Sequence, residues 1–165
     1  MSSHYYLIAQ LPTLMFGKES PVTKDAFIAE AEKWLTEREM AALNEVKINR
    51  YTASGKDHPV YMKILQYEHL IRTDVAKWRE AQKNDLDYKP SAIPAALLKE
   101  GTPLDAEMKL MRLRWDYIDE MMREHHFDFG YLILYYIQLQ LLQRFFTFDK
   151  ERGLEKFQKL YEVNE

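Results

Sequence analysis

TPLDAEMKLMRLRWDYIDEMMREHHFDFGYLILYYIQLQLLQRFFTFD, residues 102–149, decides the fold. Thr102 suits an N-cap, Pro103 suits the first helical position, and Asp105 at the third completes a capping-box-like signal. Leu104, Met108, Met111, Trp115, Ile118 and Met122 then recur at alternating spacings of four and three. That rhythm lines large side chains along one face of a helix. Glu124-His125-His126-Phe127-Asp128-Phe129 reads as a junction, with Asp128 as the N-cap of a second helix. The second helix is apolar almost all the way round, which marks an element buried by its neighbours. The stretch predicts two long helices, Leu104–His125 and Phe129–Phe148, packed as a central antiparallel pair.

Working outward, Asp149 reads as the cap of a last amphipathic helix carrying Leu154, Phe157, Leu160 and Tyr161. Upstream, Thr23 caps a helix expected to reach Leu35, and Thr36 with Glu39 forms a capping box for a short helix through Val46. Asn49 to His58 is a loop, and Pro59 opens a helix to Lys83 with Val60, Ile64, Tyr67, Ile71, Val75 and Trp78 on its core face. Asn84 to Pro94 is polar and extended, and Ala95 to Glu100 forms a brief helix ended by Gly101. His4 to Leu11 fits a short strand or a helical turn equally, because periodicity does not decide over so few residues. Few glycines and few β-branched runs leave little room for a sheet. The fold class is all-α, a single-domain helical bundle over residues 1–165.

Composition narrows the function. At 165 residues the chain is long enough to bury a core, and its 47% hydrophobic content argues for a folded protein. The net charge is −3 and no basic cluster forms a nucleic-acid footprint. Without cysteine there are no disulfides, thiolate zinc sites or cysteine nucleophiles, which fits a reducing compartment. Met1-Ser2-Ser3-His4 lacks the basic region of a signal peptide. Gln138, Gln140, Gln143 and Arg144 interrupt the apolar helix, so it reads as a core helix and not a membrane span.

Catalytic templates fail one by one. Glu124, His125, His126 and Asp128 are metal-ligating residue types, but a di-metal bundle needs Glu-x-x-His, and Met122 and Arg123 stand where the glutamates belong. The histidines fit the negative end of the first helix instead. Gly17-Lys18-Glu19 and Gly55-Lys56-Asp57 lack the upstream glycine and the following Ser/Thr of a phosphate loop. No metal, no cofactor and no catalysis are expected. The remaining candidates are partner-binding stripes. Asp116, Glu120 and Glu124 fall at i, i+4 and i+8, where mutual repulsion suits either a solvated face or a basic partner. On the second helix Tyr136, Gln140 and Arg144 share a polar edge with Gln143 and Thr147, while Gln138 lies nearly opposite among apolar neighbours.

Several stretches carry a resemblance. They are Tyr5-Tyr6-Leu7-Ile8-Ala9-Gln10-Leu11-Pro12-Thr13-Leu14, Arg114-Trp115-Asp116-Tyr117-Ile118-Asp119-Glu120, His126-Phe127-Asp128-Phe129, Leu139-Gln140-Leu141-Leu142-Gln143-Arg144 and Asp149-Lys150-Glu151-Arg152-Gly153. Together they resemble an uncharacterised bacterial family encoded in operons for V-type (A/V-type) rotary ATPases. The resemblance implies a non-catalytic component or assembly protein, a reduced counterpart of the all-helical connector that joins the central stalk to the membrane ring. It implies the other V-type ATPase subunits as partners, and a cytoplasmic place at the inner membrane with membrane contact only through the complex. A stand-alone helical adaptor is the alternative, and a metal-dependent enzyme using His125 and His126 is a third reading.

Overall fold

A computed structural model describes residues 3–99 and 101–163, with 151–163 described by their backbone alone. Among the described residues every regular element is helical: α1 Ser3–Gln10, α2 Lys24–Glu32, α3 Glu37–Asn44, α4 Pro59–Lys83, α5 Ala95–Lys99, α6 Pro103–Met122 and α7 Phe129–Val163. The centre is α7. From Leu132 to Leu142 every residue is buried, because α2, α3, α4 and α6 all pack against it. That enclosure explains an apolar sequence with no solvent face.

The helix starts follow local chemistry. Thr102 Oγ1 accepts from the Asp105 amide, and the Asp105 carboxylate accepts from the Thr102 amide. Thr36 and Glu39 form the same reciprocal box, and Thr23 caps α2 through the Ala26 amide. At α4 the cap is His58, whose Nδ1 accepts from the Val60 amide. Gly101 precedes the Thr102 box at φ +85, a conformation that side chains resist.

Between α6 and α7 the chain turns sharply, and Asp128 Oδ1 accepts from the Tyr131 amide to begin α7. Gly130 follows, where a Cβ would come within 2.9 Å of the His125 ring and 3.0 Å of Val60. A glycine is what lets α7 start so close to both. The turn and the Arg144–Glu107 approach at 4.0 Å fix the pair as antiparallel, since the middle of α7 meets the start of α6.

Several boundaries differ from expectation. α6 ends at Met122 and not His125, because Arg123 to His125 close tighter i→i−3 bonds onto Glu120, Met121 and Met122. α2 stops at Glu32 and α3 at Asn44, each two to three residues short of the sequence reading, with the same tightening at Trp34 and Val46. Asp149 does not cap a separate helix: α7 runs through it to Val163, since neither a proline nor an extended residue interrupts the ladder there. The side chains of Leu154, Phe157, Leu160 and Tyr161 lie outside the described residues. The stretch His4 to Leu11, which fits a strand or a helical turn equally by sequence, falls on α1, whose Leu7 and Ile8 are buried.

The core has two parts. The larger joins Leu7, Phe27, Leu43, Tyr61, Leu65, Trp115 and the first half of α7. The smaller holds Ile71, Val75, Ile93 and Leu110, where α4 meets α6 and the 84–94 connection. Asp74, 1% exposed, ties that connection down. Its Oδ1 accepts from the Tyr88 hydroxyl and from the Ser91 amide and hydroxyl, and its Oδ2 from the Ala92 and Ile93 amides. Ile64, Tyr67 and Trp78, expected on the core face of α4, are only half-buried, and Tyr61, Leu65, Glu68 and Asp74 are buried in addition.

Candidate docking site

Tyr136, Gln140 and Arg144 succeed one another at i+4 spacing on α7, so they form one row. The row faces the loop after α3. Gln140 Nε2 donates to the Val46 carbonyl at 2.8 Å, and its Oε1 accepts from the Ile48 amide at 3.1 Å. The amide thereby staples residues 46–48 to α7. Tyr61 holds the same segment from the other side, donating to the Lys47 carbonyl and accepting from the Lys47 amide. Tyr136 stacks on Phe27 at 5.5 Å, with Lys24 Nζ over its ring.

The sequence reading placed this row at the surface as partner anchors. Tyr136 and Gln140 are instead 5% and 7% exposed, because the 46–48 segment and α2 cover them. Their edges still line a groove of about 520 Å³ between α7 and the 47–51 segment. Lys24, Lys47 and Arg144 bring positive charge to that groove, Tyr51 brings an exposed ring, and among the described residues no carboxylate lines it.

Beside the groove lies a cavity of about 30 Å³, and Lys47, Ile48 and Arg144 line both. Arg114 and Glu68 are its least exposed charged groups, with side chains 13% and 12% exposed. Arg114 Nε donates to Glu68 Oε2 at 2.7 Å and one terminal nitrogen to Oε1 at 2.9 Å, a two-pronged pairing of α6 with α4. The other terminal nitrogen, Nη1, is buried and meets no acceptor among the described residues. Glu68 also accepts from Arg72 Nε at 3.0 Å, so one carboxylate serves two guanidiniums. Tyr67 and Tyr117 close one side of the cavity, their rings stacked 3.9 Å apart, and burial raises both phenol pKa values. Arg50 completes the lining but is spoken for. It holds Asp57 through two bonds of 2.7 Å, which raise the Arg50 pKa; at Asp57, burial pushes the carboxyl up, but Arg50 and the Ser54 amide hold it below the usual range.

A family model described as a protein of unknown function, DUF2764, matches residues 76–164, more than half of the chain. The chain belongs to the DUF2764 family. No curated protein and no solved structure matches it. The matched part of this DUF2764 protein supplies Arg114, Tyr117, Tyr136, Gln140 and Arg144 to the site, while Lys24, Lys47, Arg50 and Glu68 precede it. The family description names no activity and no partner, so the link to V-type ATPases stands on the resemblance alone.

The second predicted surface of the DUF2764 protein lies elsewhere on α6. Asp116, Glu120 and Glu124 are all exposed. Asp116 pairs with Arg112 at 3.1 Å within the helix, and Asp119 with Arg123 at 3.7 Å, while no ion pair engages Glu120 or Glu124 among the described residues. Of the junction histidines, His125 pairs with the cap residue Asp128 at 2.8 Å and not with the end of α6, and His126 is exposed. No group of three His, Asp or Glu side chains among the described residues converges as metal ligands do. None of its helices is long and apolar enough to cross a membrane among the described residues.

Sequence reasoning missed Glu68 and Arg114, yet a signal was present. Glu68 stands between Leu65 and Ile71 in the buried register of α4, and Arg114 between Met111 and Ile118 in that of α6. A charge in an apolar register needs a partner on a facing helix.

Proposed function

We propose that this protein is a non-catalytic docking component of a bacterial V-type rotary ATPase, either a reduced central-stalk connector or an accessory that assists assembly. It works at the cytoplasmic side of the inner membrane, reaches the membrane only through the complex, and takes no nucleic acid. The resemblance in Arg114 to Glu120 and Leu139 to Arg144 supplies the partner. The observation that carries the docking role is the groove beside Arg144: cationic, edged by aromatic rings, without a lining carboxylate among the described residues, on a protein of net charge −3. Such local charge contrast steers partners, and Arg and Tyr are preferred anchors at interfaces.

The test is recovery of ATPase subunits from native cells by tagged protein, read by mass spectrometry across a salt series. Wild type should recover them, and Lys24→Glu with Lys47→Glu should not, since both lysines are exposed and their reversal leaves the core untouched. Recovery of no ATPase subunit by wild type would end the assignment. Recovery of a different protein, lost in the variant, would favour the stand-alone adaptor.

A further inference from the structure

We propose that the groove takes an acidic peptide segment of a partner protein, one of whose Asp or Glu carboxylates enters the cavity beside Arg114. This deepens the docking role of the groove and does not depend on the ATPase as partner. The charge count comes first. Lys47, Arg50, Arg114 and Arg144 line the cavity, and Glu68 is its one carboxylate among the described residues. Asp57 satisfies Arg50 from outside, and Glu107 reaches Arg144 only at 4.0 Å. Glu68 is divided between Arg114 and Arg72. Positive charge is therefore in excess at a site whose central guanidinium has a side chain only 13% exposed. A second anion there gains charge-assisted bonds in a partly dry setting. Nη1 of Arg114, on the same guanidinium, is buried without an acceptor among the described residues.

Size is consistent with the anion. The cavity of about 30 Å³ has room for a group as small as a carboxylate. The neighbouring groove, sharing Lys47, Ile48 and Arg144 with the cavity, has room for the chain that bears the carboxylate. Asn49 and Gln143 offer amides to its backbone, and Tyr51 an exposed ring.

The experiment uses the full purified chain and a short fluorescent Glu-rich peptide, followed by anisotropy at several salt concentrations. A Gln-rich peptide of equal length, acetate and inorganic phosphate serve as comparators. The Glu-rich peptide should bind, more weakly as salt rises, and shift the Arg114 guanidinium N–H resonances in side-chain NMR. Lys47→Gln with Arg144→Gln should weaken it about tenfold or more, as loss of charge-assisted contacts requires, with an unchanged melting profile. Arg114→Lys, which keeps a charge for Glu68 but loses the spare nitrogen, should do the same; if that variant does not fold, the double variant and the resonances decide. Equal binding of the Gln-rich peptide, no binding of either, or unmoved Arg114 signals would overturn the proposal. Competition by acetate or phosphate at concentrations matching the peptide's own carboxylates would make this a free-anion site and overturn it too. Peptide binding with failed recovery of ATPase subunits would remove the ATPase and keep the groove's chemistry; the reverse would remove only the acidic occupant.

Discussion

Asp74→Asn is nearly isosteric, yet it should be among the most damaging single changes in the protein. The carboxylate is buried and acts only as an acceptor, receiving three hydrogen bonds at Oδ1 and two at Oδ2. An asparagine keeps one oxygen. Its best orientation retains the Tyr88 and Ser91 donors and turns an NH₂ group toward the Ala92 and Ile93 amides, so two backbone donors lose their acceptor. Bonds to a charged acceptor contribute about 1.5–3 kcal/mol each, which puts the loss at about 3–6 kcal/mol. Against a typical total of about 5–15 kcal/mol, that takes much of the stability. The damage starts locally, because the freed connection carries Ile93 out of the smaller core. Denaturant unfolding gives the total, and hydrogen exchange at the Ala92 and Ile93 amides gives the local part. Burial pushes the Asp74 carboxyl up, but the Ala92 and Ser91 amides and Tyr88 hold it below its ordinary value of about 3.8. A carboxyl with a depressed folded pKa contributes stability above the unfolded value and loses it as pH falls through the folded one. The gap between wild type and Asp74→Asn should therefore be constant above about pH 5 and close in stronger acid. A loss under about 1 kcal/mol, or unchanged exchange at the two amides, would refute the reasoning.

Trp115→Ala should cost about 3–5 kcal/mol in denaturant unfolding, since its 5% exposed indole fills the α6–α7 seam against Phe16. Replacing Asp116, Glu120 and Glu124 together by Gln should leave the unfolding midpoint nearly unchanged, as all three are exposed; weaker ATPase recovery with less salt sensitivity would mark the stripe as a second docking face, and equal recovery would exclude it. His58 has a pKa lowered by burial from its ordinary 6.5, despite the opposing pull of Asp128, so the folded state holds it neutral as the cap of α4. The unfolded chain then binds the proton first, and stability should fall as pH drops below about 6.5. His58→Asn keeps a capping side chain, and its stability-against-pH curve between about pH 5 and 7 should be flatter than that of wild type.

The amino-acid sequence determined the helices by itself wherever their causes are local. The Thr102–Asp105 and Thr36–Glu39 boxes, the Thr23 cap, Pro59 and the four-three apolar rhythm of α6 act over three or four residues, so their geometry is written in the spacing. It located the first half of α7 as the buried centre from its composition: a stretch apolar almost all the way round has only one place to go. What it did not determine depends on partners far along the chain. Residues 3–10 are a helix because Leu7 and Ile8 join the core, not because eight residues prefer it. Asp149 is an N-cap by composition, but a long helix already running costs less to extend than a new one to nucleate. The site shows the same division. The row Tyr136, Gln140 and Arg144 follows from helical periodicity; that Gln140 is consumed by residues 46–48, and that Arg114 meets Glu68 with one nitrogen to spare, required the packing of α3, α4, α6 and α7 together. Periodicity says which side chains share a face, and only tertiary packing says what that face meets.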